Sequence, residues 1–259
     1  MRRYTVPIVS SDVEQQILDC ISAYKYRTRW REWGLHKLRQ QGAAILLSGP
    51  PGVGKTVLAK SIARRLKLRL RELSVANYGS QVPGELARGI NTYFDREVTS
   101  ARMERRHLPV IFMDECDAML VDRNRLGPDM LWMLEPINAL LAQIAKYEGI
   151  IILATNLEPF LDDALERRLL ATIRISRPGL AERKRLWAAK WPKEMPLQLW
   201  PSDIDRLAQH NLTGSEIEKM IILWAGRVIA DEGEPTIESL LTYVNDRAGV
   251  ATRASSIAA

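Results

Sequence analysis

Gly49-Pro50-Pro51-Gly52-Val53-Gly54-Lys55-Thr56 stands between the apolar run Ala43 to Leu47 and a helical pattern that opens near Val57. The stretch fills every fixed position of GxxxxGK[ST], a phosphate-binding loop. Its glycines let the backbone curl so that successive N–H groups converge on phosphate oxygens. The helix that follows adds the positive end of its dipole. Lys55 is suited to neutralise the β- and γ-phosphates, and the Thr56 hydroxyl to reach a Mg²⁺ ion. Gly49 through Thr56, with Val57 opening the helix, are therefore candidate contacts to a nucleotide.

Working outward, the chain alternates strand and helix patterns. Leu58, Ile62 and Leu66 recur every four residues after the loop, which lays one helix face on a sheet. Leu68 to Val75 reads as a strand, Tyr78 to Gly84 as a loop, and Glu85 to Val98 as a helix. Leu108 to Met113 and Ile150 to Ala154 are apolar runs of strand length, the form that buried parallel strands take. Between them Ile137, Leu140, Leu141 and Ile144 mark a helix opening at Pro136. A short helix and a last strand, Ala171 to Ile175, follow. The expected fold is a parallel α/β sheet sandwiched by helices, with its ligand at the strand C-termini. From Arg177-Pro178-Gly179 onward the patterns are helical only: Ala181 to Lys190, Ser202 to His210, Gly214 to Ala230 and Thr236 to Val244. The expected organisation is an N-terminal helical segment over 1–41 and an α/β domain over 42–177. A small all-helical domain follows over 178–247, with a fraying tail over 248–259.

Val110-Ile111-Phe112-Met113-Asp114-Glu115 delivers two adjacent carboxylates to a strand tip. About sixty residues after a phosphate loop, such a pair suits metal-assisted hydrolysis. Asp114 is placed to hold the Mg²⁺ shell, and Glu115 to orient or deprotonate a water attacking the γ-phosphate. ATP with Mg²⁺ is the expected cofactor pair.

These motifs together resemble the ATPase module of AAA+ proteins, and in particular the AAA branch containing katanin and spastin, over about residues 40–245. The fold that the resemblance implies is the P-loop NTPase sheet followed by a helical lid. It implies that Asn156, in Leu153-Ala154-Thr155-Asn156, is the sensor-1 side chain between γ-phosphate and water. Leu161-Asp162-Asp163-Ala164-Leu165-Glu166-Arg167-Arg168 resembles the segment that presents arginine fingers to the next subunit, so Arg167 and Arg168 would act in trans. Leu212-Thr213-Gly214-Ser215-Glu216-Ile217 is similar to the turn packed beside the adenosine, which makes Gly214 and Ser215 nucleotide contacts. The sensor-2 arginine of other AAA+ branches is not at this turn. Ser80-Gln81-Val82-Pro83-Gly84-Glu85 matches the first pore loop with Val82 at its aromatic position and Tyr78 nearby. Arg123 and Arg125 fall where a second pore loop, or a plain solvated loop, would lie. The resemblance implies an ATP-hydrolysing ring, a homo-hexamer, that remodels a protein partner.

Composition bounds the rest. Net charge is +6, with basic clusters around Lys25 to Arg31 and Arg64 to Arg71. Positive potential near phosphates and at subunit contacts is the preferred account, and a DNA-associated ATPase of the transposition-regulator or helicase-loader type is the alternative. Two cysteines, Cys20 and Cys116, build no disulfide framework and point to a reducing, cytoplasmic setting. The apolar runs are too short for a membrane span, so no membrane partner is expected. His36, His107 and His210 lack metal-ligand spacing. The tryptophans, among them Trp132, Trp187, Trp191, Trp200 and Trp224, read as core and domain-contact residues.

Overall fold

The computed structural model describes residues 7–35, 42–74, 84–120, 132–156 and 163–257. The two pore-loop readings, with Tyr78, Val82, Arg123 and Arg125, fall outside the described residues, as do Leu161 and Asp162. Two compact units divide the chain. One holds Ser11–Pro50 and Lys55–Ile175; the other runs from Ser176 onward and takes in Ile8–Ser10 and Pro51–Gly54.

In the first unit, α1 (Ser11–Lys25) and the single turn α2 (Arg29–Glu32) precede the strand β1 (Ala43–Ser48). Then come α3 (Lys55–Arg65), β2 (Leu70–Glu72), α4 (Glu85–Met103), β3 (Val110–Met113), α5 (Leu134–Lys146), β4 (Ile150–Thr155), the short α6 (Asp163–Glu166) and β5 (Ala171–Arg174). The five strands pair in parallel in the order β2-β3-β4-β1-β5. The parallel sheet expected from the alternating patterns is the one found. Every residue of β1, β3 and β4 is buried, because helices cover both faces and leave no side of these strands in water.

The strand order dictates which face each helix takes. The chain leaves β1, crosses to the far edge at β2, then steps back through β3 and β4. Right-handed crossovers therefore put α3 on one face and α4 and α5 on the other. The core agrees. Ala44 and Leu46, Ile111 and Met113, and Ile151 and Leu153 share one cluster with Ile90 and Phe94 of α4 and Leu140 of α5, and no residue of α3 joins it. Phe94 meets Tyr147 edge-on, 5.3 Å between centroids, and the Tyr147 hydroxyl donates to Pro109 O at 2.5 Å. On α1, Val13, Ile17, Ile21 and Tyr24 are buried at helical spacing. That stripe seats α1 against β1, α3 and β5.

The second unit comprises α7 (Leu180–Lys190), α8 (Pro201–Leu207), α9 (Gly214–Ala230) and α10 (Ile237–Ile257). Its core centres on Trp187 and Trp224, and the Trp224 indole donates to Ser239 Oγ at 3.1 Å. α10 runs past residue 247, where the sequence reading ends the helical domain. The alanine-rich segment beyond it contains no proline to stop a helix. Two of the tryptophans read as core and domain-contact residues lie outside the core. Trp132 and Trp200 are 57% and 64% exposed, because Trp132 precedes α5 and Trp200 caps α8, so both sit off the buried stripe of the helix that follows.

Candidate active site at the strand tips

A parallel sheet in the order β3-β4-β1 sets the residues following those three strands side by side. Gly49 follows β1, Asp114 follows β3, and Asn156 follows β4. Gly49 lies so close to β5 that a Cβ there would stand 2.1 Å from Ile175 O; its amide donates to Thr155 O at 3.3 Å. Gly52 and Gly54 have φ of +82° and +100°, the left-handed region that side chains other than glycine rarely enter.

Lys55 opens α3 and is 6% exposed. Its ammonium has three acceptors: Gly49 O at 2.6 Å, Pro50 O at 3.0 Å and Asn156 Oδ1 at 2.8 Å. Burial pulls the Lys55 pKa below the usual lysine value, opposed by the carboxylates of Asp114 and Asp117. At the next residue of the helix, Thr56 Oγ1 donates to Asp114 Oδ2 at 2.8 Å. Lys55, Thr56, Asp114 and Asn156 are thus brought together from three strand tips, though 58 and 101 residues separate the bonded pairs in sequence.

Glu115 has φ of +52°, a conformation that costs a non-glycine residue about 1 kcal/mol. Its amide bonds Asp114 Oδ1 at 3.1 Å and its side chain is exposed. The turn has a use. Immediately after it, Cys116 reaches β4 by backbone and thiol together, both donating to Ala154 O at 3.1 Å. Complete burial pushes the Cys116 thiol up to about 12, so it stays protonated and serves as a buried prop.

Asp117 was missed in the sequence. Its Oδ1 accepts from the Thr155 hydroxyl and, at 3.0 Å, from the Asn156 amide. It braces the tip of β4 from which Asn156 reaches Lys55. The available signal was a third acid three residues after Asp114, but its value depends on β4 lying beside β3.

Arg167 and Arg168 follow α6 and are exposed; Arg168 Nη1 donates back to Ala164 O at 2.7 Å. Gly214 and Ser215 open α9 in the second unit. Within that unit, the Ser215 amide donates to Gly52 O at 3.3 Å, and a Cβ on Gly52 would stand 2.8 Å from Thr213 Oγ1. Thr213 and Glu216 form a reciprocal cap at 2.6 and 3.3 Å, and Glu216 also accepts from Arg177 at 2.6 Å. Burial would raise the Glu216 pKa, yet hydrogen bonds from Thr213 and the Arg177 charge hold it below the usual range. His210 is lowered by burial first and by Arg183 second. No helix among the described residues is long and apolar enough to cross a membrane.

The family described as "ATPase family associated with various cellular activities (AAA)" matches residues 45–177, just over half of the chain. A 26S proteasome regulatory subunit homolog from Methanothermobacter marburgensis is 31% identical over 219 residues, 81% of this chain and 54% of its own length. The proteasome-associated ATPase of Streptomyces coelicolor is 30% identical over 86% of this chain and 39% of its own length. The chain thus spans about half the length, or less, of these curated relatives. Among solved structures, the FIGL-1 AAA domain in complex with ADP superposes with a TM-score of 0.73 at 18% identity, covering 95% of this chain and 84% of that one. A chain of the E. coli MS115-1 HORMA:CdnC:Trip13 complex gives 0.69 at 22% identity, covering 92% and 89%. Those two likenesses establish the fold. With its phosphate loop, carboxylate strand tip and strand order, the chain belongs to the AAA family of ATPases and carries that family's nucleotide-binding module.

Proposed function

We propose that this chain is an ATP-hydrolysing motor that works as a ring of identical subunits, six by resemblance, and spends the energy on remodelling a protein partner. The observation that carries the reading is the pair of bonds Thr56–Asp114 and Lys55–Asn156, which ties three strand tips into one constellation. A hydroxyl and a carboxylate oxygen 2.8 Å apart are hard oxygen donors of the kind Mg²⁺ takes. Bound with ATP, Mg²⁺ neutralises charge on the β- and γ-oxygens.

Lys55, now shared among three neutral oxygens, has the charge and reach to exchange them for phosphate oxygens. The loop amides from Gly49 to Thr56, with Val57 behind them, orient the same group. Glu115, the residue after Asp114, carries an exposed carboxylate and accepts the proton of the attacking water. Asn156, braced by Asp117, positions that water and the γ-phosphate. Gly214 and Ser215 fit against the adenosine end. Arg167 and Arg168, exposed just after a short helix, serve the site of the neighbouring copy, where a guanidinium fork offsets charge building on the transferred group.

The katanin and spastin branch remains our assignment within the family. The FIGL-1 fold and the missing sensor-2 arginine support it, while the relatives named for the proteasome support protein handling in general. Two buried free cysteines fit the reducing cytoplasm.

The test is complementation between defective subunits. Arg167→Ala and Lys55→Ala proteins, each inactive alone, are mixed and phosphate release is followed. Hybrid interfaces that pair an intact loop with an intact arginine should recover part of the activity. No recovery at any ratio contradicts a shared site.

A further inference from the structure

The β2 edge of the sheet, three strands from the phosphate loop's β1, carries a second chemistry. Residues 60–72 and 96–107 contain ten Lys or Arg, namely Lys60, Arg64, Arg65, Lys67, Arg69, Arg71, Arg96, Arg102, Arg105 and Arg106. Against them stand Glu72, Glu97 and Glu104, with Glu14 of α1 reaching Arg65 at 3.2 Å. The surplus of six equals the net charge of the whole chain. Topology gathers these residues. In a parallel sheet the C-termini of α3 and α4 return to the strand N-termini, and the edge strand β2 lies between them.

The four carboxylates are already shared. Glu97 takes Arg71 at 3.2 Å and Arg96 at 3.5 Å; Glu104 takes Arg106 at 3.0 Å and Arg69 at 3.6 Å; Glu72 takes Lys60 at 3.5 Å. Lys67, Arg102 and Arg105 are exposed and pair with no carboxylate among the described residues. Each Arg presents five donors, so donors are left over even on the paired ones.

Two of the unpaired cations occupy a costly backbone position. α3 and α4 both end in the Schellman motif: Leu68 N to Ala63 O and Lys67 N to Arg64 O in one, Arg106 N to Ala101 O and Arg105 N to Arg102 O in the other. The left-handed residue of that motif is usually glycine; here it is Lys67, φ +56°, and Arg105, φ +51°. Nothing in the motif demands a cation, since Glu232 takes the same position after α9, φ +48°. The helix C-termini attract cations, but two dipole ends offset only about one charge of the six.

We propose that this sheet edge is a nucleic-acid binding surface that grips the phosphodiester backbone without reading bases, and that it is separate from the nucleotide site. Eight of the ten cations are Arg, whose planar fork matches phosphate geometry. A protein partner would need an apolar anchor at its centre. The one large apolar side chain exposed in these two segments is Met103. A lipid surface would likewise require an apolar face to insert. No exposed Phe, Tyr or Trp lies in either segment, so stacking on bases has no large platform here.

The test uses the full chain and a mixed-sequence DNA duplex, with binding followed by anisotropy from 50 to 200 mM salt. The wild type should bind with steep salt dependence. The double variant Lys67→Gly/Arg105→Gly places the residue the motif prefers at both positions, so its melting temperature is kept or raised. It should bind about tenfold or more weakly, with a log–log salt slope smaller by about two. Lys55→Ala should bind duplex as the wild type does. The proposal is overturned if the wild type does not bind at 50 mM salt, or if the glycine variant binds equally well. It is also overturned if Lys55→Ala abolishes binding, or if poly-glutamate displaces the duplex as effectively as unlabelled DNA of equal charge, which would mark the edge as a surface for acidic protein. None of these outcomes depends on ATP turnover, so they stand apart from the ring reading.

Discussion

The two ends of one sheet hold charged groups in opposite ways. At the strand C-termini the polar groups of the site are few and, the exposed Glu115 apart, partly or wholly buried and held by directional bonds: Lys55 by three acceptors, Asp114 by Thr56, Asn156 through Asp117. Toward the strand N-termini, cations are many, exposed, and share carboxylates loosely at 3.0 to 3.6 Å. Chemistry on one phosphoryl group requires preorganised donors. Holding a polyanion requires only net charge and reach. The difference predicts how each end responds to damage.

The steepest response should come from Thr56→Ala, which removes the hydroxyl 2.8 Å from Asp114. Steady-state phosphate release should fall roughly 100-fold or more, with unfolding stability changed by no more than about 1 kcal/mol. Asp117→Ala should act more mildly. It deletes the brace on Thr155 and Asn156, so kcat should fall about tenfold with ATP affinity kept. The buried partners left behind should cost about 1–3 kcal/mol by denaturant titration. Arg102→Ala, at the opposite end, should change turnover less than twofold and stability by about 0.5 kcal/mol at most. If it cost turnover as much as Asp117→Ala, the contrast between the two ends would fail.

What the sequence revealed follows the same division. The loop, the strand ending in Asp114-Glu115 and the parallel sheet were legible because each is a local pattern: spaced glycines, an apolar run of strand length, a four-residue helical repeat. Asp117 was not, because its partners lie on a strand nearly forty residues later and only the pairing of β3 with β4 brings them near. Trp132 and Trp200 fall outside the core because bulk and apolarity say nothing of position relative to a helix's buried stripe. The left-handed turns at Lys67, Arg105 and Glu115 carry no glycine to announce them. Charge at the sheet edge was visible as composition, but its arrangement depends on α3 and α4 ending beside the start of β2.

Of all measurements, phosphate release by Glu115→Gln alongside equilibrium ATP binding tests the account most directly. The substitution keeps shape and removes the basic carboxylate, so turnover should fall about 100-fold or more while ATP affinity stays within about threefold of the wild type. Turnover near the wild-type rate, or loss of ATP binding together with turnover, would contradict the assignment of Glu115 as the group that takes the water's proton.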